Sequence, residues 1–316
     1  MELTTLWDGL FWPLIRLCFF ISIGLLVGNL IESLNWTRAM ARLASPLVRL
    51  GNLHDISGAS FSMAFFSGVT ANTMLAEAFD QGKLSKRELI LSNLFNSLPT
   101  YVLHLPTMFF IMVPLIKEAA FVYLGLTLAS TFLRLGFVLA LSHMILPARR
   151  EVCVVCELPD REKIHFRDVL RRTWKRFLER IPRIILFTVP IYAAVFFMNR
   201  AGWFQALETW MADYVSIISW LAPEALSIVV LQLAAEFSAG LAAAGAMLEQ
   251  GVLDVKEIVL ALLLGNVLSS PMRAFRHQFP YYAGIFKPAM GLNLIIYNQS
   301  LRAGSIVVVM LAYALI

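Results

Sequence analysis

The sequence predicts an all-α integral membrane protein made of two inverted-topology repeats, and three observations predict it. Hydrophobic residues make up 59% of the 316 positions, and mean hydropathy is +0.72. Charged residues reach only 15%, against about 25% in soluble domains. The third observation is that the chain is written twice. Trp7 and Trp36 share their spacing with Trp174 and Trp203, and each pair flanks an apolar stretch. Phe66-Ser67-Gly68 is answered by Phe237-Ser238-Ala239, Gln81-Gly82 by Gln250-Gly251, and Leu133-Arg134-Leu135-Gly136 by Leu301-Arg302-Ala303-Gly304. The repeats are expected at 1–147 and 173–316, joined by a basic linker at 148–172.

Six segments carry the ~20 apolar residues that a spanning helix needs: 10–33, 87–115, 119–146, 177–199, 256–280 and 289–315. Glu2 and Asp8 stand where a signal peptide has Lys or Arg, so the first is expected to be an uncleaved helix. Segments 54–80 and 223–250 are apolar but interrupted near the middle by small and polar residues. Segments 37–50 and 204–219 are amphipathic, with Met40, Leu43, Leu47 and Leu50 on one helical face and Leu207, Trp210, Tyr214 and Ile217 on the other's. Such helices suit the interface plane.

Charge orients these pieces. Between Arg149 and Arg183 lie 11 Lys/Arg and 6 Asp/Glu, which is the whole net charge of +5, so the basicity reports topology and gives no sign of a nucleic-acid partner. The first amphipathic piece carries Arg38, Arg42 and Arg49 without an acid, and the second carries Glu208 and Asp213 without a base. Opposite sides for the two pieces make the repeats inverted. Re-entrant hairpins at 54–80 and 223–250 then put Lys83/Lys86/Arg87, the linker and the Arg273/Arg276/Lys287 turn all in the cytoplasm. The acidic Glu249/Asp254/Glu257 turn and both termini fall outside. Eight plain spans would instead place the basic and acidic turns on one side. Cys18, Cys153 and Cys156 give no disulfide framework, and the lone Cys153/Cys156 pair would need a second pair to hold zinc.

Interrupted backbone at membrane depth is tolerated only where protein or a watery cavity satisfies its hydrogen bonds. Four breaks invite it: Phe66-Ser67-Gly68, Asn96-Ser97-Leu98-Pro99, Glu236 to Gly240, and Asn266 to Pro271. The repeat pairs them as two hairpin tips and two broken helix centres, converging on one midplane site. Contacts to a solute are expected from Ser67, Gly68, Thr70, Asn96 and Ser97 in the first half. In the second they are expected from Glu236, Ser238, Asn266, Ser269 and Ser270. Arg134 and Arg302 recur symmetrically at mid-span, where a charge costs ~2.5–3.5 kcal/mol even on the insertion scale. They are expected to pair with Glu77, Glu236 or Glu249, or to hold an anionic solute. His104 is expected to cap a helix fragment and His277 to sit in the cytoplasmic turn.

These residues resemble a family. Glu236-Phe237-Ser238-Ala239 is similar to the Glu-Phe-Val-Ala core of the second-hairpin motif in concentrative nucleoside transporters. Asn266-Val267-Leu268-Ser269-Ser270 is similar to the Asn-Phe-x-Ser-type stretch that follows it there. Ser97-Leu98-Pro99-Thr100-Tyr101 resembles the Ser-x-x-Leu-Pro-x-Tyr pattern of the nucleoside-recognition Gate domain, found in ferrous-iron permeases and spore-maturation membrane proteins. The resemblance implies that Glu236, Asn266 and Ser269 or Ser270 meet a ribose. Three positions depart from it. Ala235 stands where the nucleoside family has Asn, Ser67-Gly68-Val69-Thr70 replaces its base-reading Gln-Thr-Glu, and no cysteine lies near the Gate-like Leu-Pro.

The expectation is therefore a multi-pass transporter of the inner (plasma) membrane, and not an enzyme. It would move a small polar solute, nucleoside-like by resemblance, with no cofactor and with Na⁺ or H⁺ coupling left open. The related families imply a homo-oligomer in the lipid bilayer. A divalent-cation permease and a non-transporting membrane scaffold are the alternatives.

Overall fold

The computed structural model describes residues 6–12, 14–16, 18–19, 22–23, 26, 37–148, 166–201, 222, 224–234, 237–274 and 278–316. Among them every regular element is helical. A π-helical turn at Trp7–Phe11 comes first. The first half then runs α1 (Thr37–Leu50), α2 (Asp55–Ala64), α3 (Gly68–Asp80), α4 (Lys86–Phe95), α5 (Ser97–Ile116) and α6 (Glu118–Ile145). α7 (Phe166–Arg200) leads into α8 (Ala225–Ala234), α9 (Phe237–Glu249), α10 (Val255–Leu268), the one-turn α11 (Ser270–Arg273), α12 (Phe279–Phe286) and α13 (Pro288–Leu315).

Among the described residues, three stretches are long and apolar enough to cross a membrane: Lys86–Ile116, made of α4 and α5, then α6 and α13. At ~1.5 Å per residue the 28 residues of α6 exceed a ~30 Å hydrocarbon core. They coincide with three of the six expected spans, and the chain reads as a membrane protein. Two other expectations need correction. Segment 256–280 is not one continuous α-helix, because α10 ends at Leu268 and the one-turn α11 starts at Ser270. Pro271 supplies no N–H to continue the ladder there. The span expected at 177–199 lies inside the 35-residue α7, which starts at Phe166 and so extends into the expected 148–172 linker. Segment 10–33 is described only in part. Segment 204–219, Trp36, Trp203, Cys153, Cys156 and His277 lie outside the described residues. Among the described side chains of α1, Ala44 and Val48 are buried and Leu50, on the apolar face expected to lie at the membrane interface, is 58% exposed.

The repeated Gln-Gly dipeptides have a local cause. Gly82 and Gly251 both take left-handed backbone, with φ of 71° and 67°. Each closes the same helix end: Lys83 N–H reaches Ala78 O and Gly82 N–H reaches Phe79 O, as Val252 reaches Met247 and Gly251 reaches Leu248. Leu84 and Leu253 follow and are buried. The next helices open with reciprocal caps, Ser85 with Glu88 and Asp254 with Glu257. Further on, Lys117 and Lys287 both stand at positive φ (50° and 67°) at the heads of α6 and α13.

Packing sets α6 and α13 side by side. Helices α2 and α3 pack on one another around the Phe65–Ser67 break and against α4, while α8 and α9 do the same against α10. Contacts between halves run α5 to α9, α12 to α3, α6 to α10 and α13 to α4. Two ion pairs bridge the halves: Lys117 with Glu249 at 3.0 Å, and Lys287 with Asp80 at 3.6 Å.

Candidate functional site

A cavity of about 410 Å³ opens between the two halves. From the first half it takes Gly68, Ala71 and Asn72 of α3, Asn93 of α4, Asn96, Ser97, Thr100, Tyr101 and His104 around the α4–α5 break, and a stripe on α6. From the second it takes Phe237 of α9, Asn266 of α10, Arg273, Gln278 and Tyr282 along the broken segment, and Asn298, Gln299 and Arg302 of α13. That volume is within the range of small-molecule sites, ~300–1,000 Å³.

The α6 stripe consists of Tyr123, Thr127, Ser130, Thr131 and Arg134, one face of a helix by its three- and four-residue steps. Each hydroxyl on it is anchored. Thr127 Oγ1 donates to Tyr123 O (2.9 Å), Thr131 Oγ1 to Thr127 O (2.8 Å) and Ser130 Oγ to Thr127 O (2.9 Å). Tyr101 Oη donates across to Leu124 O at 2.9 Å. Arg134 is 7% exposed; its Nη2 donates to Thr131 Oγ1 at 2.9 Å and its buried Nε has no partner.

Asn266 organises the second half of the site. Its Nδ2 donates to Tyr123 Oη at 2.8 Å, tying α10 to α6. Its Oδ1 accepts from both Arg273 Nη2 (2.6 Å) and Arg302 Nη2 (3.0 Å), and its carbonyl accepts from Arg273 at 2.9 Å. Two guanidiniums thus share one neutral oxygen. In the first half, Asn93 Nδ2 donates to Asn72 Oδ1 (3.0 Å) and to Tyr282 Oη (3.3 Å), tying α4 to α3 and α12.

Of the expected contacts, Gly68, Asn96, Ser97, Asn266, Arg134 and Arg302 line this one cavity. Ser67 and Thr70 do not, because Ser67 Oγ caps α3, accepting from Thr70 N–H (3.1 Å) and Thr70 Oγ1 (2.9 Å). Ser238 and Ser269 are not among the lining residues, and Ser270 Oγ donates to Gln299 Oε1. Glu236 lies outside the described residues. Neither described partner expected for the arginines meets them. Glu249 pairs with Lys117, and Glu77 is exposed on α3. His104 sits within α5 on the cavity wall, away from either helix end. Arg273, expected in a cytoplasmic turn, lines the cavity from the one-turn α11. Tyr123, Thr127, Ser130 and Thr131 of the α6 stripe, with Asn72, Gln278, Tyr282, Asn298 and Gln299, were missed as site residues. A polar stripe at helical spacing on an apolar span was the available signal. Among the described residues, no group of three or more His, Cys, Asp or Glu gathers as a metal site would require.

Three uncharacterized proteins of Methanocaldococcus jannaschii are similar to this chain nearly end to end. MJ0871 is 24% identical, with 91% of this chain and 89% of the relative covered. MJ0880 is 25% identical over 89% and 90%, and MJ1556 is 26% identical over 89% and 88%. No protein-family model and no solved structure matches the chain.

Proposed function

We propose that this protein is a membrane transporter for a small polar solute, made of two inverted-topology repeats whose re-entrant hairpins are α2–α3 and α8–α9. Support for the repeats comes in matched pairs. The left-handed glycines, the reciprocal caps, the positive-φ lysines and the two bridging ion pairs each occur once per half, at corresponding places. The contacts between halves match in the same way, α5 on α9 with α12 on α3, and α6 on α10 with α13 on α4.

The observation that carries the transport reading is the ~410 Å³ polar cavity, walled by both halves among helices apolar enough to span a membrane. Polar side chains at such depth are costly and mark solute pathways. Resemblance to the nucleoside transporters and Gate domains adds a nucleoside-like solute and assigns a contact to Glu236, the residue before the lining Phe237.

Two measurements test this. Purified protein in liposomes should accumulate labelled solute above empty vesicles, and rates equal to empty vesicles across a nucleoside and organic-anion panel would reject transport. For topology, cysteines at Arg87 and Lys256 should react with an impermeant maleimide from opposite sides, since inverted repeats put these matched helix starts on opposite faces. Labelling from one side rejects the inversion. Glu236→Gln keeps the shape and removes the charge. It should weaken solute binding in a protein that still folds, and unchanged affinity would remove Glu236 from the site.

A further inference from the structure

Within that transport reading, we infer that the cavity takes an organic anion carrying two negative charges, a dicarboxylate or a phosphate monoester, held by Arg134, Arg273 and Arg302. The described lining contains these three guanidiniums and no carboxylate. Even with Glu236 counted, the excess is two positive charges. A guanidinium stays protonated in a protein, so the excess cannot be discharged by losing a proton. It has to be balanced by something that enters.

The arrangement of the donors points the same way. Arg273 and Arg302 both direct Nη2 at the single amide oxygen of Asn266, at 2.6 and 3.0 Å. Two like charges drawn to one neutral acceptor repel each other strongly where water is scarce. An oxyanion bridging them would turn that repulsion into two charge-assisted bonds. Arg134, from the other half, is 93% buried on the same cavity, and its Nε has no partner. A guanidinium is a planar fork that pairs best with carboxylate or phosphate oxygens. The opposite wall, with Asn93, Asn96, Ser97 and Thr100, is neutral and polar, suited to hydroxyls or amides on the rest of the molecule.

The test is calorimetric titration of the full chain in lipid nanodiscs with succinate, uridine 5′-monophosphate and uridine. Either dianion should bind at least ~10-fold tighter than uridine, as expected if one charged hydrogen bond is worth ~1.5 kcal/mol or more. The affinity should fall as NaCl is raised. Which dianion binds distinguishes a carboxylate pair from a phosphate monoester. Arg134→Gln should lower affinity about 10- to 100-fold, and Arg134→Lys should recover part of it. Should Arg134→Gln fail to fold, the wild-type comparison decides alone. Uridine binding as tightly as both dianions, absence of dianion binding, or unchanged affinity in folded Arg134→Gln would overturn the assignment. Dianion binding without uptake sinks the transport reading and leaves this inference standing. Uridine uptake without dianion binding does the reverse.

Discussion

The two helix pairs that frame the cavity occupy matching places and are held there by different forces. In the first pair, α2 buries Ser57, Ser60 and Ser62, α4 beside it buries Ser92 and Asn93, and Asn96 is buried at the end of α4. Hydroxyl meets hydroxyl between Ser57 and Ser92 at 2.6 Å, Asn96 Nδ2 donates to Ser60 Oγ at 2.8 Å, and Ser60 Oγ donates to Ala71 O at 2.9 Å. Phe61 stacks on Phe95 at 4.3 Å to seal this joint. Among its described residues the second pair packs mainly through small side chains. There α9 buries Ala239, Gly240, Ala242, Ala243, Ala244, Gly245 and Ala246, a surface of small residues that lets backbones approach closely. One half is fastened by hydrogen bonds and the other by fit. Equivalent position in a repeat therefore does not imply an equivalent response to mutation.

The largest effect should come from breaking the fit. A Cβ at Gly245 would stand 2.7 Å from Leu115 O and 3.2 Å from Leu115 C, backbone atoms of α5 that cannot rotate away. Gly245→Val should lower the unfolding free energy in detergent by ~1–3 kcal/mol or more. A Cβ at Gly136 or Gly304, in the repeated Leu-Arg-x-Gly motif, meets nothing within 4 Å. Gly304→Ala should therefore be neutral or stabilising by ~0.4–1 kcal/mol. Thermal melts that rank these two variants the other way would show that α9 is not tightly docked on α5.

Much of this comparison was legible in the sequence, and the illegible part has physical causes. Gln81-Gly82 and Gln250-Gly251 were readable because a left-handed helix end followed by a reciprocal cap is specified by five or six consecutive residues. The apolar lengths of α6 and α13 were readable for the same local reason. Arg273 was not, since its position depends on the interruption of the helix after Leu268, which spacing along the sequence does not locate. The fates of Ser67 and Thr70 depended on a competition that composition cannot decide. Their hydroxyls close the start of α3 on each other and are thereby withdrawn from the cavity. The partners of Arg302 and Arg273 lie on a different helix at Asn266, a tertiary fact.

An intermediate effect should follow from loosening the hydrogen-bonded half. Ser60→Ala removes the acceptor of Asn96 Nδ2 and the donor to Ala71 O. Interhelical bonds in membranes average ~0.6 kcal/mol and reach ~1.7. The variant should thus lose about 1 kcal/mol, and a double-mutant cycle with Asn96→Ala should give a positive coupling. A loss matching Gly245→Val would mean that the serine network holds its half as firmly as close packing holds the other. Zero coupling would mean that the Ser60–Asn96 bond contributes nothing.

The smallest effect tests a feature the halves share, the lysines at the heads of α6 and α13. Lys117 has φ 50° with ψ −124°, and Lys287 has φ 67° with ψ 152°. Both are backbone states that glycine adopts easily and other residues hold at ~1–3 kcal/mol each. In return each ammonium meets a carboxylate of the opposite half, Glu249 or Asp80, but all four side chains are exposed. Exposed pairs contribute ~0–1 kcal/mol. The strain therefore outweighs the charge pair, and the sign of a mutation should depend on what replaces the lysine. Lys117→Met keeps the strain and loses the pair, so it should cost under ~1 kcal/mol, shrinking further in high salt. Lys117→Gly loses the pair but relieves the backbone, and should leave stability unchanged or raise it by about 1 kcal/mol. Lys287 should repeat the pattern with a weaker charge contribution, since its pair is longer and more exposed. If glycine destabilises more than methionine at both sites, the backbone there is not strained and the charge bridges carry the joint. If the two sites disagree, the halves differ at their bridges as they do at their hairpins.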